Sequence, residues 1–108
     1  MSIPPAALLG AAILSEVMAT TALKASDGFT RLGPSLLAGL GYCISFYLLA
    51  QVMKSIPTGV VYAVWSGLGI VLISVVGWAV YGEKLDTAAV VGMAMIVAGV
   101  GVIQLFSK

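Results

Sequence analysis

The chain has 108 residues, 61% of them hydrophobic, with five basic side chains, four acidic ones and no histidine. This is the composition of an integral membrane protein, and a net charge of +1 leaves no basic patch for nucleic acid and no basic amphipathic helix for a membrane surface. A single cysteine, Cys43, allows no internal disulfide and reads as apolar filler; without histidine there is no metal site of the usual kind, and no cofactor is expected.

The few charges divide the chain. Lys24, Asp27 and Arg31 close a first apolar run; Lys54, then Glu83, Lys84 and Asp86, then Lys108 mark the later boundaries. Between them lie uncharged stretches 32–53, 55–82 and 87–107, of 22, 28 and 21 residues. About 20 apolar residues of helix cross ~30 Å of hydrocarbon. The expected fold is therefore all-α and membrane-integral, one domain over 1–108 with four transmembrane helices at about 4–23, 35–53, 60–81 and 87–106.

Helix 1 opens on Pro4 and Pro5, tolerated where N–H groups lack helical partners. It has no basic leader, so it reads as a mature helix rather than a signal peptide. Its centre holds Glu16, a lone carboxylate in an apolar run. An acid at bilayer depth costs roughly 2.5–3.5 kcal/mol at a helix centre on insertion scales, which marks it as a functional group. Helical spacing places Leu9, Ala12, Ile13, Ala19, Thr20 and Leu23 on the face of Glu16, and the small neighbours leave room to reach the carboxylate.

Residues 26–34 form the first loop. Helix 2 then offers Tyr42, Ser45, Phe46 and Leu49 on one stripe. After the turn at Ile56-Pro57-Thr58-Gly59, helix 3 presents Tyr62, Trp65, Ser66 and Gly69 at i, i+3, i+4 and i+7. Gly67 and Gly69 at mid-helix are candidates for a bend. Tyr47 and Tyr81 fall away from this stripe and are expected at lipid or at the interface. In helix 4, Gly92 and Gly99 share a face as a close-approach seam for another helix.

A carboxylate among Trp and Tyr rings suits a lipophilic organic cation, the acid supplying charge and the ring faces cation–π and dispersion contacts. The candidate binding residues are Glu16, for proton and cation, with Trp65, Tyr62, Tyr42, Phe46, Ser45, Thr20, Ala12 and Ile13. No internal repeat supplies the inverted halves that many transporters use. One side of the membrane would carry Lys54 and Lys108, the other Lys24, Arg31 and Lys84; so slight a bias permits insertion both ways, which leaves open an antiparallel dimer as well as an ordinary parallel one.

Three segments carry a specific resemblance: Ser15-Glu16-Val17-Met18-Ala19-Thr20-Thr21-Ala22-Leu23-Lys24, Gly28-Phe29-Thr30-Arg31, and the run from Ile56-Pro57-Thr58-Gly59 through Tyr62, Trp65 and Ser66 to Gly67-Leu68-Gly69. Over essentially its whole length the chain resembles the small multidrug resistance family, in its quaternary-ammonium branch. The resemblance implies a proton-coupled antiporter of organic cations in the bacterial cytoplasmic membrane, working as an antiparallel homodimer. It implies that Glu16 is the shared proton and drug site, lined by Trp65, Tyr62 and Tyr42. It further implies a helix 3 bend at Gly67 and Gly69 and a dimer seam at Gly92 and Gly99. The chain departs from the pattern at Ala6, where relatives often carry an aromatic residue. The alternative is a guanidinium exporter of the sister branch, but that branch typically has a Trp shortly after the acid, where Val17, Met18 and Ala19 stand here, and Thr in place of Ser66. A pore-forming peptide would not require a central acid facing Trp and Tyr, and an enzyme would want catalytic partners that this chain lacks.

Overall fold

The computed structural model describes residues 3–106, all of whose regular structure is helical. Lys108, counted in the charge balance, lies outside them. Four helices follow in order: α1 (Pro5–Ala25), α2 (Leu32–Val52), α3 (Thr58–Tyr81) and α4 (Thr87–Phe106). Each is long and apolar enough to cross a membrane, at 21, 21, 24 and 20 residues.

The helix ends explain where these boundaries differ from the charge pattern. α2 begins at Leu32, three residues before the expected Ser35, with Pro34 in its first turn. Proline is harmless there, because the first ladder bond is donated one residue later, by Ser35 N–H to Arg31 C=O at 3.1 Å. α3 likewise starts at Thr58, behind Pro57, whose carbonyl accepts from Val61 N–H. It ends on Gly82 in the left-handed region at φ 66°, with Glu83 N–H returning to Gly77 C=O at 3.1 Å. α4 is capped by Asp86, whose Oδ1 accepts from Ala89 N–H at 2.8 Å.

The α1–α2 loop is a built turn. Buried Ser26 donates to Leu23 C=O and accepts from Phe29 N–H, while Asp27, Gly28 and Phe29 all hold positive φ. Two of those three are not glycine, so the turn stores backbone strain that the Ser26 bonds offset.

Packing is uneven. α1 and α2 share a seam of small residues, where Ala19 and Ala38 are buried against backbone and Gly41 admits Ala19 so closely that a Cβ there would sit 2.8 Å from the alanine methyl. Ser45 Oγ closes the seam by donating to Ala12 C=O at 2.7 Å. A cluster of Leu9, Ile13, Val17, Leu49, Val52, Val61 and Val64 ties α1, α2 and α3 together. These residues come mostly from the first half of α1, the end of α2 and the start of α3, so the core fills the side of the α2–α3 turn. Toward the other side, α1 and α3 separate into a groove.

α4 packs on α3, where Val100 and Ile96 press on Gly67. The protomer measures 43 × 38 × 20 Å, flatter than a closed four-helix bundle. Cys43, expected as filler, is exposed: two residues on from Gly41, it lies on nearly the opposite face of α2 from the seam. Gly41→Ala is expected to force α1 and α2 apart and lower stability by about 1–3 kcal/mol, whereas Gly39→Ala, with open space beyond it, should be near neutral. Unfolding of both variants in detergent measures the difference.

Candidate functional site

Glu16 lies eleven residues after Pro5 and nine before Ala25, so it stands roughly 14–17 Å from either end of its helix at 1.5 Å per residue. That is the middle of a bilayer. It lines an open cleft of about 240 Å³ with Trp65, Ser66, Gly69, Ile70 and Ile73 of α3. Gly69 is the reason the carboxylate fits: a Cβ at that position would stand 3.3 Å from Glu16 Oε1. Gly67, two residues earlier and so on nearly the opposite face of α3, serves the α4 contact instead. α3 runs through both glycines as one helix. Here they act as points of close approach.

The second carboxylate oxygen is held by a short chain of hydroxyls. Thr20 Oγ1, one turn along α1, donates to Glu16 Oε2 at 2.7 Å and lies 2.6 Å from Tyr42 Oη of α2. With the threonine proton directed at the carboxylate, Tyr42 is the donor in the second bond. The three residues form a directed relay, Tyr42 to Thr20 to Glu16, which orients the acid and satisfies part of its hydrogen-bonding capacity.

Rings form the rim. Tyr42 stacks on Phe46 at 6.1 Å, Phe46 meets Trp65 at 6.3 Å, and Trp65 meets Tyr62 at 5.7 Å. This continuous band runs from α2 to α3, with Phe46 and Tyr62 more than half exposed. Trp65 Nε1 is buried without a hydrogen-bond partner among the described residues, an unused donor in the cleft wall.

Three expected contacts lie elsewhere. Ser45 is fully buried on Ala12 C=O, Ala12 is fully buried in the α1–α2 seam, and Ile13 belongs to the apolar core. They share a helical face with true cleft residues but turn toward the neighbouring helix. Gly92 and Gly99 face open space within the protomer, and no α4 residue lines the Glu16 cleft.

The sequence reading missed the far end of the groove. There Thr20, Thr21, Lys24, Ile73, Gly77, Tyr81 and Glu83 line a second hollow of about 180 Å³ that shares Ile73 with the first. Lys24 Nζ pairs with Glu83 Oε2 at 2.8 Å and lies over the Tyr81 ring at 5.7 Å; Tyr81 Oη donates to Thr21 C=O at 2.8 Å. Tyr81 therefore works in the groove rather than facing lipid alone. The available signal was opposite charge at the ends of α1 and α3, which an even number of crossings puts on one side.

Chemically, the site offers one carboxylate at bilayer depth, the Trp65 ring and the Ser66 hydroxyl among otherwise apolar walls. Thr20→Val is expected to strip Glu16 Oε2 of its donor and shift the carbonyl stretch of protonated, isotope-labelled Glu16 to higher frequency, with a smaller shift for Tyr42→Phe. Difference infrared spectroscopy reads both.

Residues 6–96 match the family model described as Small Multidrug Resistance protein. The chain is 57% identical to the quaternary ammonium compound-resistance protein QacE of Escherichia coli over 97 residues, covering 90% of this chain and 88% of that protein. It is 54% identical to the multidrug transporter EmrE of Escherichia coli K12 over 104 residues, 96% of this chain and 94% of that one. A multidrug transporter of Pseudomonas aeruginosa is 56% identical over 100 residues, 93% and 91% of the two chains.

Proposed function

The chain belongs to the small multidrug resistance family, and from that premise we propose that it exports lipophilic and quaternary ammonium cations across the bacterial cytoplasmic membrane in exchange for protons, both ligands using Glu16. It is a transporter rather than an enzyme. The observation that carries the reading is the position of Glu16: a carboxylate in mid-membrane, opening on a cleft walled by Trp65 and floored by Gly69.

The exchange rests on exclusion. A proton on Glu16 removes the charge that an organic cation needs, and a bound cation removes the place where the proton sits. Trp65, Tyr62, Phe46 and Tyr42 supply ring faces to the apolar parts of the ligand, while Thr20 and Tyr42 hold the carboxylate still. The free indole N–H of Trp65 is available to a ligand or to a second protomer.

The working unit in this reading is an antiparallel homodimer. A flat protomer, half-exposed rings at the cleft edge and the uncovered Gly92 and Gly99 face of α4 all suit a second copy. The near-equal charge on the two sides allows that copy to insert in the opposite sense. Inward-open and outward-open forms then differ only by exchange of roles between protomers. Equal intrinsic energy follows from symmetry, and Gly67 and Gly69 would supply the flexibility of α3 during exchange.

Tetraphenylphosphonium binding to purified protein between pH 5 and 9 tests the competition. Affinity is expected to rise with pH, by up to about tenfold per unit where one proton is displaced, and to vanish in Glu16→Gln. Binding that ignores pH or survives the substitution would move the site, and guanidinium binding in place of the phosphonium would favour the sister branch. A dimer holds two Glu16 protons, so exchange of both for one monovalent cation is expected to move net charge. Electroneutral exchange in proteoliposomes would overturn that ratio.

A further inference from the structure

Lys24 poses a problem for any cation pathway through the groove. It sits eight residues beyond Glu16 on α1, about 12 Å along the axis, and lines the hollow that continues the Glu16 cleft past Ile73. A bare ammonium there would repel each cation approaching the acid from that end.

The protein surrounds this charge with specific groups. Glu83 Oε2 lies 2.8 Å from Lys24 Nζ, and the Tyr81 ring lies beneath the ammonium. Both side chains of the pair are about half exposed, at 56% and 50%, and what fixes Glu83 is its backbone. Gly82 turns the chain through the left-handed region and Glu83 N–H bonds back to Gly77 C=O, so the side chain folds onto the last turn of α3. Its carboxylate lies where any side chain at position 77 would collide with it. Tyr81, fixed by its bond to Thr21 C=O, ties the same end of α3 to α1.

We propose that Glu83 is a specificity-determining residue for cation transport: it neutralises Lys24 at the mouth of the groove, so that ligands of higher positive charge are not turned away. Glu83 does not touch the ligand at Glu16; it sets the potential that the ligand crosses. This rests on the proposed function of the groove. It has a signature that a structural role lacks, because the Boltzmann factor for entering a potential is raised to the power of the ligand's charge.

The test is transport in proteoliposomes of tetraphenylphosphonium, with one charge, and of a bis-quaternary bipyridinium, with two, each scored as the ratio of variant to wild-type kcat/KM. Glu83→Gln is expected to lower the first about threefold and the second about ninefold, and added salt should shrink both losses. Lys24→Met combined with Glu83→Gln should restore equal ratios for the two ligands, whatever the overall rate. Equal losses for both ligands in the single variant would make the ion pair merely structural. An unchanged rate, or a charge-dependent loss that persists in the double variant, would equally overturn the proposal. A wild-type protein that transports neither cation would refute the proposed function itself.

Discussion

A carboxylate in the middle of a bilayer is the constraint from which the rest of this structure follows. Hydrocarbon offers Glu16 no water, so the protein must supply its partners or leave it a route to solvent. It does both in part. Thr20 and Tyr42 serve one oxygen through two short bonds, and the other faces a cleft against Gly69. A fully enclosed acid with every lone pair satisfied would be inert. An acid with no partner would weigh against insertion. The half-satisfied arrangement leaves one oxygen bonded and the other open to the cleft.

That arrangement dictates where the protomer can be solid. The apolar cluster gathers at the α2–α3 turn side, where Leu9, Leu49, Val52 and Val61 close α1, α2 and α3 together. Toward the opposite side α1 keeps close to α2 through Ala19 and Gly41, while hollows open between α1 and α3. The groove lies in that gap, bridged at its end by Lys24, Tyr81 and Glu83. Small residues thus have two opposite uses in one chain: at Gly41 and Gly67 they let helices meet, and at Gly69 and Gly77 they make room for acids.

Much of this was legible in the sequence, and the limits are physical. Charge punctuation gave four helices because hydrocarbon excludes charge over a fixed thickness. Helical spacing put Trp65, Ser66 and Gly69 on one stripe, and they do share the cleft with Glu16. The same spacing failed for Ala12, Ile13 and Ser45, since periodicity gives a face of a helix but not which neighbour that face meets. Pro34 suggests a loop, yet α2 begins before it, because a first-turn proline breaks no bond. The Asp86 cap is a local signal, an acid directly before an apolar helix. The Tyr81 and Glu83 contacts join residues about sixty positions from their partners, and nothing local announces them.

The balance of interactions at the cleft also bears on the class of ligand. A hydrogen-bonding pocket rejects a ligand that leaves its buried polar groups unpaired, whereas an apolar one discriminates weakly among similar shapes. Here the hydroxyls of Thr20 and Tyr42 bond each other and Glu16, and Ser45 is committed to the α1–α2 seam. What lines the cleft is one carboxylate, the Trp65 ring, the Ser66 hydroxyl and the aliphatic side chains of Ile70 and Ile73, with Phe46 and Tyr62 packed beside Trp65. Such a surface sets a single negative charge among apolar walls. With so few hydrogen-bonding groups on its open side, charge and apolar contact are the terms on which the cleft can discriminate.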